Sequence, residues 1–333
     1  MEELGVKIVA DPRWFPMRFD IDREHYQFAR VAQDVHRAIT FLSDIRPVAD
    51  EIRSVPRVDA AQVAVIQSPL HMILHSGLGG STLLARALSQ PGIVTTLKEP
   101  PILTDVITFG LRRRDAEDKR RLLGETVRLL SRPLAPGEGV VIKMSSIGNG
   151  LVSAIAQDRP QSQILCLQTP LELMLAALAA RGDEGRRGGQ RLFTGMRNAR
   201  MIAAEPAGDR SDLECAALAW LSIQKMMLDA ATNFGADRIR SIESEKLIAE
   251  PRAGLAAVAA HFRLTLDVEA RLASGIFGRH AKTGQPFDAQ SRIQRLQATL
   301  SQHGGEIGAV VSWARKVADA NGIAWDLPYP LFG

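Results

Sequence analysis

Short apolar runs alternate with longer stretches of helical periodicity across the middle of the chain. The predicted strands are residues 72–74, 93–97, 140–143, 164–167 and 239–242. The predicted helices are residues 81–88, 101–113, 115–131, 171–180 and 254–262, with another from about residue 151. Strands separated by helices pair in parallel through right-handed crossovers. The pattern therefore predicts an α/β protein with a doubly wound parallel sheet of about five strands.

The N-terminal part of the chain lies outside this alternation. Residues 1–20 mix Pro, Trp and Phe without a clear period, and we expect an irregular arm there. Residues 22–55 are predicted to be helical, because apolar residues such as Phe28 and Val31 recur at helical spacing. Residues 1–70 are therefore expected to form an arm and helices that pack on the core domain.

The rest of the chain, residues 71–333, is predicted to be one α/β domain with helical additions. Residues 182–235 are expected to form a helical insertion, and residues 288–320 a C-terminal part of one or two helices. The stretch 181–191 is rich in arginine and glycine and interrupts the pattern. It is either a source of cations for an anionic ligand or a solvated loop.

Composition limits the classes of partner. The chain has 333 residues, of which 46% are hydrophobic and 23% charged, as in ordinary globular proteins. The net charge of +4 mildly favours anionic ligands. Aromatic residues make up only 5%, and no basic stretch is interleaved with them, so we expect no nucleic-acid partner.

Cysteine usage and the start of the chain indicate a cellular compartment. Cys166 and Cys215 lie in apolar segments and are expected to be buried thiols, because they have neither zinc spacing nor a disulfide framework. The first residues lack a basic region followed by an apolar stretch, and no run reaches 18 apolar residues. A reduced, cytoplasmic protein without membrane contact is expected.

A glycine-rich segment joins the first predicted sheet strand to the next helix. It consists of Ser76, Gly77, Leu78, Gly79, Gly80, Ser81 and Thr82. Glycines permit backbone angles that other residues avoid, so that main-chain amides can surround an anion. The helix adds unpaired N–H groups and the positive end of its dipole, and its two hydroxyls add donors. The segment predicts an anion site, the alternative being a plain strand-to-helix turn with an N-cap serine.

The same segment departs from a standard nucleotide triphosphate loop. Ser81 follows Gly80 where that pattern requires the lysine that reaches the β- and γ-phosphates. The strands that end near residues 143 and 168 also lack a terminal Asp to help hold magnesium. These features argue against an ordinary ATP or GTP hydrolase, and no metal is expected.

The stretch from Ser76 to Arg86, followed by Leu97-Lys-Glu-Pro100, resembles the bacterial sulfotransferase family. The resemblance implies a P-loop NTPase-like fold over residues 71–333 that binds 3'-phosphoadenosine-5'-phosphosulfate (PAPS). The glycine-rich segment would hold the 5'-phosphosulfate. Residues 242–251, before an apolar helix, are similar to a further family segment.

A basic segment carries a third likeness to the family. Arg279-His-Ala-Lys282, together with Arg292, is similar to the basic loop that closes over the nucleotide in that family. The resemblance therefore implies that His280 and Lys282 contact the co-substrate.

The chain departs from the family where the 3'-phosphate is usually bound. After the strand predicted here at residues 164–167, the family shows Arg-Asp-Pro, and it shows a Ser on the next helix. This chain has Gln168-Thr169-Pro170 and Ala176 at these places. Either other cations such as Arg181, Arg186 or Lys282 replace the missing groups, or the donor is a different molecule.

Three residues at predicted strand ends are candidate catalytic groups. Glu99 could take the proton of an acceptor hydroxyl if partial burial beside Pro100 and Pro101 raised its pKa, whereas the charge of Lys98 would lower it. Lys98 and Lys143 could each stabilise the charge that develops on the leaving phosphate. The alternatives are a helix-entry glutamate and lysines that merely reach toward solvent.

The leading hypothesis is a sulfotransferase that moves a sulfuryl group from PAPS to a hydroxyl or amine of a small-molecule or glycan acceptor. A kinase-like transferase with a degenerate loop is the second hypothesis. A non-catalytic P-loop binding protein is the third, supported by the missing 3'-phosphate residues. The sequence leaves the acceptor and the oligomeric state open.

Overall fold

The structure, a computed structural model, describes residues 2–63, 68–199, 201–204 and 208–332. Residues 205–207 and Arg200, which belong to the predicted insertion, lie outside the described residues. The strands are β1 (Trp14–Asp20), β2 (His25–Arg30), β3 (Glu51–Pro56), β4 (Leu70–His75), β5 (Val94–Lys98), β6 (Gly139–Lys143), β7 (Ile164–Gln168) and β8 (Ile239–Glu243). Strands β4 to β8 form a five-stranded sheet in the order β5-β6-β4-β7-β8.

Helices follow most of the sheet strands along the chain. The α-helices are α1 (Glu2–Ala10), α2 (Gln33–Ala38), α3 (Arg57–Val63), α4 (Ser81–Leu88), α5 (Pro101–Arg113), α6 (Ala116–Leu130), α7 (Val152–Asp158), α8 (Leu171–Ala179), α9 (Gly182–Met196), α10 (Asp212–Phe234), α11 (Ser244–Ala249), α12 (Pro251–His261), α13 (Val268–Ala273) and α14 (Ala289–Ala320). The predicted α/β class, with about five parallel strands and a helical C-terminal part, is confirmed.

The described residues divide into two compact units. The first comprises Met1–Met72, Ala85–Gln163 and Phe262–Leu266. The second comprises Ile73–Leu84, Ile164–His261 and Asp267–Gly333.

The first unit contains an antiparallel sheet that the sequence analysis did not foresee. Strands β1, β2 and β3 pair in that order, so the predictions of an irregular arm over residues 1–20 and of helix throughout residues 22–55 are wrong. Tyr26 and Phe28 are fully buried on one face of β2, with the partly exposed Gln27 between them. This period of two is typical of a half-buried strand. The helical spacing in the same segment is coincidental.

The first unit also contains strands β5 and β6. They pair in parallel, with Lys98 opposite Lys143. Both strands are buried along their whole length, as expected for parallel strands covered on two faces. The guanidinium of Arg37 pairs with the buried Glu138, whose carboxylate also accepts from the amide of Gly92 at 2.7 Å. These bonds tie helix α2 to the start of the strand pair.

The second unit contains β7, β8 and a helical layer. Helix α10 begins at a capping box in which Ser211 and Glu214 each bond the other's backbone amide. Helix α9 contains residues 182–191 of the arginine- and glycine-rich stretch and continues to Met196, so the solvated-loop alternative is wrong. A β-carbon on Gly189 would lie 2.9 Å from the Cβ of Ala216, and glycine therefore allows α9 and α10 to pack closely.

Candidate functional site

The glycine-rich segment forms a tight connection between β4 and α4. His75 ends the strand and Ser81 begins the helix, and the residues between them bend rather than extend. The φ angles of Gly77, Leu78 and Gly80 are +95°, +54° and +78°. Leu78 adopts a left-handed conformation that a residue with a β-carbon rarely takes, as is often found where a loop serves a function.

The main-chain amides of this segment remain available to a ligand. Among the described residues, the N–H groups of residues 77–81 have no hydrogen-bond acceptor, and the first helical bond of the segment is Leu84 N–H to Gly80 O at 2.9 Å. Successive amides in such a turn, followed by a helix N-terminus, form a concave anion site. The hydroxyls of Ser81 and Thr82 stand in the first turn of the helix, in side chains that are largely buried.

Thr169 and Ser244 enclose Gly79 within the second unit. A β-carbon on Gly79 would lie 1.7 Å from Thr169 Oγ1 and 2.9 Å from Ser244 Cβ, so only glycine fits. The Thr169 amide donates to Ser76 Oγ at 2.7 Å, and its carbonyl accepts from Trp220 Nε1 at 2.8 Å. The loop is therefore held by residues that follow β7 and β8. The sequence analysis noted Thr169 only as a departure from a family pattern, and it missed Ser244.

Lys143 and Glu99 form an ion pair in the first unit. The Lys143 side chain is 1% exposed, whereas that of Glu99 is 28% exposed, so the carboxylate reaches solvent and the ammonium does not. Glu99 has a φ of +55°, and its amide donates to the carbonyl of Lys143 at 2.9 Å. The Lys143 ammonium also lies 5.7 Å from the centre of the Phe41 ring. A carboxylate that reaches solvent from a strained backbone position, beside a buried cation, suits proton transfer next to developing negative charge.

Lys98 has different contacts from Lys143. Its Nζ donates to the carbonyl of Arg37 at 2.8 Å, and the side chain is fully buried. Burial, followed by the charges of Arg86 and Arg37, lowers the pKa of Lys98 to about 7. Its catalytic role stays a prediction, and these contacts describe a lysine that ties the end of β5 to the backbone of α2.

His280 and Lys282 lie in an exposed turn of the second unit. The His280 amide donates to the Gln285 carbonyl at 2.7 Å, which closes the turn. Burial, then the nearby charges of Lys282, Arg181 and Arg295, lower the pKa of His280. The turn thus brings together three cations, of which the sequence analysis had named Lys282 and Arg181 but not Arg295.

Arg292, which the family likeness also included, is engaged elsewhere. Its guanidinium makes a bidentate ion pair with Glu245, with nitrogen–oxygen distances of 2.5 and 2.8 Å. A bidentate pair of this kind fixes the guanidinium in one orientation. The pair therefore links α14 to α11 in the second unit.

The described part of the chain contains no group of three or more His, Cys, Asp or Glu side chains arranged to hold a metal ion. Cys166 and Cys215 are buried and form no disulfide, and burial raises the pKa of Cys166 to about 12. None of the helices in the described ranges combines the length and apolar character needed to cross a bilayer.

Comparison with solved structures finds sulfotransferase domains among the chains that match. No protein-family model and no curated protein sequence matches the chain. The sulfotransferase domain from the curacin biosynthetic pathway is 13% identical, with 71% of this chain and 99% of that domain covered and a TM-score of 0.39. The sulfotransferase domain from the Synechococcus PCC 7002 olefin synthase is 14% identical, with 68% and 84% covered and a TM-score of 0.38. At these values neither likeness carries an argument about what this chain binds.

Proposed function

We propose that the chain transfers a sulfuryl group from PAPS to a hydroxyl or amine of a small-molecule or glycan acceptor. The observation that carries the proposal is the turn at residues 77–81, where amides without an acceptor among the described residues lead into a helix N-terminus. Neutral amide and hydroxyl donors are well suited to the 5'-phosphosulfate of such a donor.

The loop chemistry favours sulfuryl over phosphoryl transfer. A sulfuryl group carries less negative charge than a phosphoryl group, so its transfer does not require a magnesium clamp. This chain has Ser81 where a triphosphate loop has its lysine, and β6 and β7 end in Lys143 and Gln168 rather than in an aspartate. Both features are expected of an enzyme that handles the less charged group.

The Lys143–Glu99 pair is our candidate for the chemical step. In the proposed reaction the acceptor oxygen or nitrogen bonds to sulfur while the bond from sulfur to the bridging oxygen of the 5'-phosphate breaks. Glu99 takes the proton of the acceptor, and the electron pair of the broken bond leaves on 3'-phosphoadenosine-5'-phosphate (PAP). Lys143 stabilises the negative charge that forms on this leaving group. Lys98 is the weaker candidate, because its ammonium is bonded to the Arg37 carbonyl.

The basic turn is our candidate for the nucleotide phosphates. Lys282, with Arg181 and Arg295 nearby, supplies positive charge in the second unit, and the imidazole of His280 offers a hydrogen-bonding group beside them. This chain lacks the arginine and serine that the family pattern uses for the 3'-phosphate, and cations of this turn would replace them. Lysine and arginine side chains suit a phosphate because each offers several donors and a full charge.

A matched pair of glycine variants tests the proposal. Gly80 and Gly137 have φ angles of +78° and +83°, so alanine is strained to a similar extent at both, and neither site has a heavy atom within 3.4 Å of the new β-carbon. Isothermal titration with PAP is expected to show binding to the wild type and to Gly137→Ala, and weaker binding to Gly80→Ala. Absence of heat with the wild type at high micromolar PAP would remove the proposal.

Titration with ATP and analysis of the products separate the other two hypotheses. A kinase-like transferase requires binding of ATP that depends on magnesium, and we expect no such binding. A non-catalytic binding protein requires PAP binding without sulfuryl transfer to any acceptor. Product analysis by mass spectrometry with a panel of alcohols, phenols, amines and glycans distinguishes that outcome from catalysis.

A further inference from the structure

Thr169 carries a hydroxyl that the described structure does not satisfy. The residue is 2% exposed, and its Oγ1 has no hydrogen-bond partner among the described residues. Buried hydroxyls are nearly always bonded, because an unpaired one has lost its bonds to water without replacement. Valine has almost the same shape and lacks this cost, so packing alone does not explain a threonine at this position.

The backbone of Thr169 is fixed on both sides. Its amide donates to Ser76 Oγ at 2.7 Å, and its carbonyl accepts from the Trp220 indole at 2.8 Å. Pro170 follows directly and restricts the main chain further. Rotation about χ1, or a shift of the facing loop, is therefore the available way for Oγ1 to gain a partner.

The hydroxyl faces the segment that forms the anion site. A β-carbon on Gly79 would lie 1.7 Å from Thr169 Oγ1, so this oxygen touches the Cα of Gly79. Ser244 confines the same glycine, because its Cβ would lie 2.9 Å from a β-carbon on Gly79. A movement of Gly79 therefore changes its contact with Thr169. The orphaned hydroxyl and the acceptor-free amides thus belong to one small cluster.

We propose that Thr169 is a positioning residue whose Oγ1 becomes hydrogen-bonded when residues 76–82 hold the phosphosulfate. The inference rests on the proposed function, because it takes the anion to be the 5'-group of PAPS. Binding of the anion sets the positions of Gly79 and its neighbours, and the Thr169 hydroxyl then bonds within the filled loop. The free energy lost by the unpaired hydroxyl is recovered on binding, so Thr169 links the stability of the chain to its affinity for the ligand.

The test compares Thr169→Val with Thr169→Ser. Isothermal titration measures the Kd for PAP, and thermal unfolding without ligand measures stability. We expect Thr169→Val to bind PAP about tenfold more weakly and to melt at a higher temperature than the wild type, because its apolar methyl replaces an unsatisfied hydroxyl. Thr169→Ser keeps the hydroxyl and is expected to bind within about twofold of the wild type. A purely structural threonine would not move affinity and stability in opposite directions.

The outcomes are distinguishable. If the wild type binds PAP and Thr169→Val binds it equally well, the inference is wrong and the proposed function stands. If the wild type does not bind PAP, the proposed function fails and the inference fails with it. Should Thr169→Val not fold, Thr169→Ala also removes the hydroxyl, and PAP affinity equal to that of the wild type would overturn the inference in the same way.

Discussion

Replacing Lys98 by methionine is expected to stabilise the chain at neutral pH and to change its stability little near pH 10. The side chain is fully buried, and its ammonium donates to the carbonyl of Arg37 without a carboxylate partner among the described residues. A buried charge without a counter-ion is unfavourable. Methionine has a similar length, fills the same space and carries no charge.

The magnitude follows from the pKa of Lys98, which burial and the charges of Arg86 and Arg37 lower from 10.5 to about 7. A base with a lower pKa in the folded chain costs stability most below the folded value, and the cost is relieved as the pH rises toward the unfolded value. Between these two pKa values the unfolded chain binds close to one proton more than the folded chain. The free energy of unfolding of the wild type therefore rises by up to about 1.4 kcal/mol per pH unit. Roughly 3 kcal/mol is regained between pH 7 and pH 10.

Urea unfolding of the wild type and Lys98→Met at pH 7, 8, 9 and 10 measures this difference. Subtracting the free energies of unfolding of the two proteins at each pH cancels the contribution of groups that titrate in both. The greater stability of the variant is expected to shrink by about 3 kcal/mol across the series. Lys225→Met is the control, because the Lys225 ammonium is partly exposed and pairs with Asp229, whereas that of Lys98 is buried without a carboxylate partner among the described residues.

A stability difference that does not change with pH would refute the reasoning, because it would mean that Lys98 titrates at its ordinary pKa. The same variant also examines the catalytic prediction. If Lys98→Met binds PAP as the wild type does but has lost sulfuryl transfer, Lys98 belongs with Lys143 in the catalytic set. Retained transfer would assign Lys98 a structural role.

Three further predictions concern the catalytic pair, the basic turn and the helical layer. Glu99→Gln is expected to lower kcat about 100-fold or more with PAP affinity within a few-fold of the wild type, measured by a sulfuryl-transfer assay and titration; an unchanged kcat would exclude Glu99 as the base. Lys282→Ala is expected to weaken PAP binding by about tenfold without changing the affinity for adenosine 5'-phosphosulfate, and equal losses for both ligands would contradict a contact with the 3'-phosphate. Gly189→Val should destabilise the chain by roughly 1–3 kcal/mol in urea, because its side chain meets Ala216, whereas Gly304→Val in an open part of α14 should cost far less; equal effects would show that close packing is not the cause.

The parts of the fold that the sequence predicted are those with strong local signals. The segment from Gly77 to Thr82 was identifiable because glycine and hydroxyl residues follow a buried apolar run, and such a connection has few possible structures. The buried parallel strands were recognisable for the same reason, since each is short, apolar and followed by a helix.

The failures arise where tertiary contacts decide the local structure. Strand β2 contains Tyr26 and Phe28 in alternation, but Val31 and Val35 beyond it complete a helical spacing by chance, and only pairing with β1 and β3 resolves the two periods. Helix α9 is rich in glycine, which disfavours helix, and close packing of Gly189 against α10 outweighs that preference.

The site shows the same division between local and distant signals. The loop itself was predicted, whereas its contacts with Thr169 and Ser244 join residues about 90 and 165 positions apart in sequence and had no local signature. Lys98 and Lys143 both looked like lysines at strand ends. Their surroundings separate them, since one ammonium meets a backbone carbonyl and the other meets Glu99.

Glycine-selective ¹⁵N NMR tests the central claim most directly, because it reports on the amides themselves. Gly77, Gly79 and Gly80 are expected to show large downfield amide shifts when PAP is added, as their N–H groups begin to donate to its 5'-phosphate, while Gly137 remains unchanged. The three signals can be assigned from single glycine-to-alanine variants. Saturable shifts confined to the loop would support an anion site there, and loop signals that stay in place while PAP binds elsewhere or not at all would contradict it.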